Sequence, residues 1–499
     1  MRLSFRVSLR MSLSMRVELL GAGGTPLDTG IHASIASFIA STKEVMYLRE
    51  VDKILIIRPN KIQHLNDTAY TMLHLLYHEG LSPEMMLRKV SGQYGVAQPV
   101  LLEDLRRLIS TIDAIMKDEY GRAESITTIP FDPGSIRFPI LSEIALTYRC
   151  QNRCDFCYAS SPHRGEKKHE MTTEEVKTVI RKIREEAHVP TISFTGGEPT
   201  LREDLPELIA FAGSTGMRVN LITNGIRCGD AGYARTLADA GLNSAQVSLE
   251  SHDEALHNSI VGNAGAYRKT VQAVHNLKGE GVYTHTNSTV CTKNMDSLIP
   301  LARFVKETWD SPYLSMNMII RTGSARDNDN TGITYSSIGE IIRPVLDYCR
   351  TAGMKFVWYS PTPYCIFNPV DHNLGSKSCA CISGLVSVNP SGDILPCSSY
   401  NRGVGNLLKH SFEYIWNSDQ ALYYREKRYV PPVCRGCEYE ILCGGGCPLY
   451  WEHRGSFREI EAVQQRRPMV RNLAWNIEHM LRVKTRGIPG ISEAGGRNG

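Results

Sequence analysis

The chain has 499 residues, room for two to four domains and more than one hydrophobic core. Hydrophobic residues at 42% and charged residues at 22% exclude collagen-like, coiled-coil and largely disordered chains. With 56 basic against 52 acidic side chains there is no concentrated basic excess, and no apolar run approaches the ~18 residues of a membrane-spanning helix, so neither nucleic acid nor a membrane is an expected partner.

Fourteen cysteines are unevenly placed: three lie within Cys150–Cys157 and seven between Cys379 and Cys447. A disulfide framework belongs to short secreted chains, whereas tight clusters in a long chain read as metal–thiolate sites of a cytoplasmic protein.

Residues Met1 to Gly24 carry Arg2, Arg6, Arg10 and Arg16 against one acid, Glu18. That composition resembles an organelle transit peptide. A start at Met11 or Met15 is the simpler reading, and residues 1–44 are expected to be a disordered extension.

The first block spans 45–120. Its opening, VMYLREVDKILIIRPNKIQHL, holds short β-rich runs broken at Asp52-Lys53 and Pro59-Asn60, as in a small meander. Ala69, Met72, Leu73, Leu76 and Tyr77 then share a helical face behind the cap candidates Asn66 and Asp67. Ser82-Pro83 opens a second helix, and Leu101, Leu102, Leu105, Leu108, Ile109, Ile112 and Met116 stripe a third. Val45–Asp118 contains nine basic and nine acidic residues, a poor footprint for DNA. The block reads as an α+β, winged-helix-like module. Its strand and helix order, with the stretch ILIIRPNKIQHLNDTAYTMLHLL, resembles the PqqD-like peptide-recognition domain. That resemblance implies a precursor peptide whose leader adds a strand to the sheet edge; a structural cap is the alternative.

The second block, 140–352, alternates strands (SEIALTY, TISFTGG, MRVNLIT, SAQVSLE, the run near 282–290, YLSMNMII) with helices. Thr172 and Glu175 form a capping-box pair ahead of the stripe Val176, Val179, Ile180 and Ile183. Six such units predict an α/β fold, a partial (β/α)6 barrel, with ligands beyond the carboxyl ends of the strands. After the first strand comes RCQNRCDFCY, with Cys150, Cys154 and Cys157. Three thiolates are one short of a structural zinc site, but leave one iron of a 4Fe–4S cluster open.

This C-x3-C-x2-C spacing, with Tyr158 following, resembles the radical S-adenosylmethionine (radical SAM) superfamily. The resemblance continues in order down the block. Gly196, Gly197, Glu198 and Pro199 match the GGEP motif that contacts the SAM amino group, and Ile222-Thr223-Asn224-Gly225 matches the third strand end. Ser248 and Glu250 match the fourth-strand position, and Gly323-Ser324-Ala325 the turn near adenine. The cofactor-binding candidates are therefore Gly196, Gly197, Glu198, Pro199, Thr223, Asn224, Ser248 and Glu250. In one departure, the stretch His257–Gly262 has Val261 where relatives often carry arginine.

The third block, 353–460, holds Cys379-Ala-Cys381, Gly392-x4-Cys397 and the run Cys434-x2-Cys437-x5-Cys443-x3-Cys447. It resembles the SPASM domain, which implies one or two auxiliary 4Fe–4S clusters; a zinc ribbon is the alternative. The resemblance assigns Cys397 and Cys447, with Cys379, Cys381 or Cys365, to one cluster, and Cys434, Cys437 and Cys443 to the other. No cysteine follows Cys447. The second cluster is left with a non-cysteine ligand such as His453 or Glu452, an open iron, or no cluster at all. Cys228, Cys291 and Cys349 stand alone and read as small buried apolar residues. Residues 461–499 read as a C-terminal helix, amphipathic over Met469–Val483, and a tail.

Together the resemblances imply an oxidoreductase that cleaves SAM reductively to a 5′-deoxyadenosyl radical and cross-links, epimerises or otherwise modifies a leader-bearing peptide. A flavodoxin- or ferredoxin-type donor would supply electrons. The alternatives are a tetrapyrrole-pathway radical SAM enzyme and an anaerobic sulfatase maturase; in the latter an aspartate typically stands where this chain has Ser398. No residue stands out in the sequence as a general acid or base.

Overall fold

The computed structural model describes residues 7–9, 29–57, 61–117, 119, 127–128, 137–160, 169–326, 328 and 331–466. Strand β1 (Val7–Leu9) and helix α1 (Thr29–Thr42) precede the meander β2 (Met46–Arg49), β3 (Ile54–Ile57) and β4 (Lys61–Leu65). Helices α2 (Asp67–Tyr77), α3 (Pro83–Tyr94) and α4 (Gln98–Met116) and a short β5 (Thr127–Thr128) follow. The sheet order is β2-β3-β4-β1-β5, with β1 lying parallel along the edge of β4.

Local signals set these ends. The Asn66 side chain accepts the Ala69 amide at 2.8 Å to start α2. Ser82 caps α3, Pro83 takes its first position, and Gly95 closes it in the left-handed region. Leu101, Leu105, Leu108 and Ile112 of α4 are fully buried, while Leu102, Ile109 and Met116 flank that core. Helix α1 corrects the expectation of disorder over 29–42. Ile35 is buried in the same core, and Ile31, Phe38 and Ile39, at helical spacing, pack beside it.

Every residue of β3 is buried, so both of its faces are covered. Leu55 and Ile57 join the helical core, while Ile54 and Ile56 pack on Ile140, one residue before the first barrel strand. Arg49 adds a hydrogen bond to the Pro139 carbonyl (2.6 Å), and Arg184 one to the Tyr47 hydroxyl (2.8 Å).

The barrel proceeds β6 (Leu141–Thr147), α5 (Thr173–Glu185), β7 (Thr191–Gly196), α6 (Leu205–Ser214), β8 (Arg218–Thr223), α7 (Ala231–Asp239) and β9 (Ser244–Ser248). Helices α8 (Glu254–Val261) and α9 (Ala266–Gly279), β10 (Tyr283–Val290), α10 (Leu298–Trp309), β11 (Tyr313–Met318), α11 (Tyr335–Thr351) and β12 (Lys355–Trp358) complete it. The capping box at Thr172 and Glu175 is formed, and Val176, Val179, Ile180 and Ile183 are fully buried beneath it. Strands β6 to β12 lie side by side in chain order and parallel, as a partial barrel. Among the described residues the parallel run continues past the expected sixth strand, because β12, read from sequence as the opening of the third block, pairs with β11.

The third block is not separate from this sheet. Its β13 (Leu385–Val388) pairs parallel with β6, and β14 (Asp393–Leu395) and β15 (Gly405–Asn406) extend the edge antiparallel. Helices α12 (Phe412–Trp416), α13 (Asp419–Arg425), α14 (Glu440–Cys443), α15 (Pro448–Arg454) and α16 (Arg458–Arg466) finish the described chain. Met469–Val483 lies outside the described residues. No helix among them is long and apolar enough to cross a membrane.

Candidate active site and auxiliary thiols

The loop carrying Cys150, Cys154 and Cys157 leaves the carboxyl end of β6 and is fastened on three sides. The turn after β7 binds it through the Gly197 amide to Thr147 O and the Glu198 amide to Arg149 O, both 2.8 Å. The end of α8 receives the Arg153 amide on Val261 O (2.9 Å) and the Asp155 amide on Ile260 O (3.2 Å). The turn after β11 reaches Cys157 O from the Ser324 amide (2.9 Å). Two glycines are required by this packing. Gly196 has φ 137° and Gly323 has φ 57°, and a Cβ at either would collide with the backbone of the thiol-bearing strand or loop.

The sequence candidates converge here. Cys150 Sγ accepts the Asn152 amide (3.4 Å) and the Asn224 side-chain amide (3.7 Å). Burial pushes the Cys150 thiol up to about 12, and burial with the neighbouring Cys157, Glu250 and Cys150 pushes Cys154 well above its ordinary range. Crowded thiols such as Cys150 and Cys154 that resist ionisation are suited to a cationic iron core, which supplies the charge they lack. No three His, Cys, Asp or Glu side chains among the described residues converge on the position of a single metal ion. A four-iron cluster takes its thiolates at separate corners, so its ligands surround a volume rather than a point.

Glu198 is fully buried and turned into the protein. Its Oε1 accepts the Thr200 amide (3.1 Å), the Thr200 hydroxyl (2.6 Å) and the Thr223 hydroxyl (2.7 Å), and its Oε2 the Asn224 amide (2.8 Å). The carboxylate expected to meet a ligand ammonium is thus engaged by four protein donors and ties the ends of β7 and β8 together. Pro199 is buried in the same turn. Glu250, also buried, accepts the Thr289 amide (2.7 Å), and burial raises its carboxyl to about 8. Its own amide donates to His257 Nδ1 (3.2 Å), which burial holds near 4 and therefore neutral. Ser248 ends β9 on the same rim, half-buried. Val261 is buried and supplies a carbonyl rather than a cation. Sequence reasoning missed Asn263, whose amide binds Asn152 Oδ1 (2.9 Å), and the Tyr158 hydroxyl on Gly196 O (3.1 Å).

The auxiliary thiols form two groups. Cys379 and Cys381 hydrogen-bond each other, and Cys379 and Cys447 both act on Cys397. In the second group burial pushes Cys434 up to about 12, helped by Cys443, Cys365 and Cys437. Cys365, offered from sequence to the first group, stands with the second. Glu452, offered to the second, acts on Cys447 of the first. Lys427 is buried between the groups, with Nζ on Ser378 Oγ (2.9 Å) and Ile441 O (3.1 Å). Cys228, Cys291 and Cys349 are buried, as apolar residues would be.

Residues 144–305 match the radical SAM superfamily, and residues 379–438 match the SPASM iron–sulfur cluster-binding domain. An AdoMet-dependent heme synthase of Nitratidesulfovibrio vulgaris is 24% identical over 318 residues, covering 60% of this chain and 85% of that one. A PqqA peptide cyclase of Granulibacter bethesdensis is 28% identical over 319 residues, covering 60% and 80%. Among solved structures, Streptococcus suis SuiB bound to precursor peptide SuiA shares the fold with a TM-score of 0.61 at 17% identity, over 81% of this chain and 94% of that one. The two matched regions fall in the order in which the two cysteine groups stand: the chain carries a radical SAM domain and a SPASM domain, and is an enzyme whose cofactors are SAM, a 4Fe–4S cluster and auxiliary iron–sulfur clusters.

Proposed function

We propose that this enzyme modifies a leader-bearing peptide. The observation that carries the reading is the N-terminal module. It is a meander with its own helical core, and its described contacts to the barrel, through Arg49, Ile54, Ile56 and Arg184, lie at the amino ends of the strands. Cys150, Cys154 and Cys157 lie beyond the carboxyl ends. A module so placed leaves the barrel mouth free and offers a second surface for recognition. Edge pairing is the mode its sheet suits, since β4 already takes β1 with Ser8 opposite His64 and Leu9 opposite Leu65. A leader would displace β1 or pair along β2. The similar PqqA peptide cyclases and the fold shared with SuiB bound to its precursor peptide support the same reading.

Cys150, Cys154 and Cys157 would hold the cluster, with SAM bound against Gly196, Gly197, Asn224, Ser248 and Glu250. When bound, the pair supplies radical abstraction of an unactivated hydrogen. The chain's part is to hold the loop by its backbone, keep Glu250 and His257 neutral and buried, and exclude water through the turns after β7 and β11. A flavodoxin- or ferredoxin-type protein is the proposed electron donor.

β6 spans seven residues, so module and thiol loop are separated by at least ~20 Å at about 3.3 Å per residue. Six or more extended residues should therefore divide the leader's paired segment from the modified residue. Heme synthase relatives of similar identity favour a tetrapyrrole as the second reading. Both are tested by offering the reduced holoenzyme short peptides encoded beside its gene, and tetrapyrroles, and following substrate mass. Modification that disappears with the leader supports the proposal; turnover of a tetrapyrrole alone overturns it.

A further inference from the structure

We propose that Cys365 is the fourth thiolate of the second auxiliary 4Fe–4S cluster, completing the set Cys434, Cys437 and Cys443. The inference rests on the auxiliary clusters and is independent of the peptide reading. The C-x2-C-x5-C run supplies three thiolates, and a cluster held wholly by cysteine needs another. Cys447 belongs to the other group: its thiol stands with Cys379 and Cys397, and its amide, donating to the Tyr335 hydroxyl (2.8 Å), holds it at the head of α15.

The missing thiol comes from upstream. After β12 the chain folds back across the cysteine-rich region and is pinned there repeatedly. The Tyr335 hydroxyl that receives the Cys447 amide donates to Pro361 O (3.0 Å). The Tyr364 amide donates to Cys443 Sγ at 3.3 Å, and the Cys443 thiol lies 4.0 Å from Thr362 O. Pro363 abuts Gly446, where an added Cβ would meet its ring at 3.0 Å. The Tyr364 and Tyr439 rings are 5.7 Å apart.

Cys365 is the next residue after the one whose amide contacts Cys443 Sγ. Its own position is set by a turn in which the Ile366 and Phe367 amides return to Pro363 O (2.9 and 3.0 Å), with Phe367 buried behind it. Its thiol is one of the three that act on Cys434, alongside Cys443 and Cys437. Four thiols are thus gathered from two chain segments, and an amide N–H already points at one sulfur, as supporting donors do around clusters. Glu452, the acid offered from sequence, acts on Cys447 of the other group instead, and Glu440, inside the run, is turned onto the Gly436 amide (2.7 Å).

The test uses full-length enzyme carrying Cys150→Ala, Cys154→Ala and Cys157→Ala, so that iron reports the auxiliary sites alone. This background should hold about eight irons per chain, two four-iron clusters. Adding Cys365→Ala should remove up to half of that iron, or convert one cluster to a three-iron form visible by electron paramagnetic resonance. Cys349→Ala should change neither. In the otherwise unaltered holoenzyme, Cys365 should resist iodoacetamide and become reactive once iron is chelated; this arm carries the test where the alanine variant does not fold. Full iron and unchanged spectra in the Cys365→Ala protein overturn the assignment. So does alkylation of Cys365 in the holoenzyme at the iron-free rate, or loss of the cluster on His453→Ala with Cys365→Ala silent.

Discussion

Replacing Glu198 by glutamine tests whether its carboxylate is a strut. Glutamine keeps the shape but must place an NH2 group where one oxygen now accepts. On the Oε1 side it would face three donors; on the Oε2 side it faces one, the Asn224 amide, and that orientation is favoured. Leaving the Asn224 amide unpaired costs about 1–3 kcal/mol, and the three remaining bonds lose charge assistance at roughly 1 kcal/mol each. The sum, about 4–6 kcal/mol, falls on the contact between the turn after β7 and the end of β8 rather than on the whole chain. A single unfolding transition is a poor gauge in a protein of several parts. Hydrogen exchange of the Asn224 amide reads the effect locally, and protection should fall at least tenfold, about 1.4 kcal/mol. Because the Asn224 side chain reaches Cys150 Sγ, iron retention at the SAM cluster should fall with it. Unchanged exchange at Asn224 together with unchanged iron would refute the strut.

Three other outcomes follow from the same geometry. Glu143 stands on β6, accepts hydrogen bonds from Ser387 and Ser398, is pushed up by burial, and acts on both Tyr158 and Cys397. Glu143→Gln keeps an acceptor for Ser387 and Ser398 and should leave iron content and substrate-free 5′-deoxyadenosine formation in place; loss of either would show that the carboxyl itself is needed beside Tyr158 and Cys397. Lys427→Met should shift the auxiliary reduction potentials negative in a spectroscopic titration, since a buried cation beside Cys379, Cys381 and Cys443 favours the reduced, more anionic state; a positive shift would contradict this. His257 falls from its ordinary 6.5 to about 4, so the unfolded chain binds the extra proton and stability should rise with pH between about 4 and 6.5, by up to roughly 3 kcal/mol. His257→Gln should flatten that window in hydrogen exchange of the Glu250 amide, which donates to His257 Nδ1, in the iron-free protein; an unaltered slope would assign it to other groups.

The elements legible in sequence were those whose signal is local. The stripe of α4, the capping box of α5 and the strands β6 to β11 each carry their periodicity within one short run. The misses depended on partners far along the chain. The four apolar residues of β3 announce a buried strand, but not that Ile54 and Ile56 face Ile140 of the barrel. Strand β12 is four residues long and becomes a barrel strand only by pairing with β11, and β13 only by pairing with β6. Helix α1 carries a readable stripe in Ile31, Ile35, Phe38 and Ile39, masked in sequence by the arginine-rich composition ahead of it.

The two iron sites differ in how they are held, and that difference explains why one was readable and the other only partly so. The Cys150–Cys157 loop is held chiefly by backbone bonds to the turn after β7, the end of α8 and the turn after β11. Close backbone approach demands glycine, and glycine leaves a mark in sequence, as at Gly196 and Gly323. Side chains there are adjustable, so Val261 stands where relatives often carry arginine and the loop still docks through the Val261 carbonyl. The auxiliary cysteines instead hang on hydroxyls and amides brought in from other segments: the Tyr335 hydroxyl on the Cys447 amide, the Tyr429 hydroxyl on the Cys381 thiol and the Tyr364 amide on the Cys443 sulfur. Scattered tyrosines carry no spacing rule, and neither does a cysteine contributed from the segment after β12. An iron site assembled from distant chain segments can therefore replace a thiol missing after Cys447 with one that precedes the run, without disturbing any motif that a sequence displays.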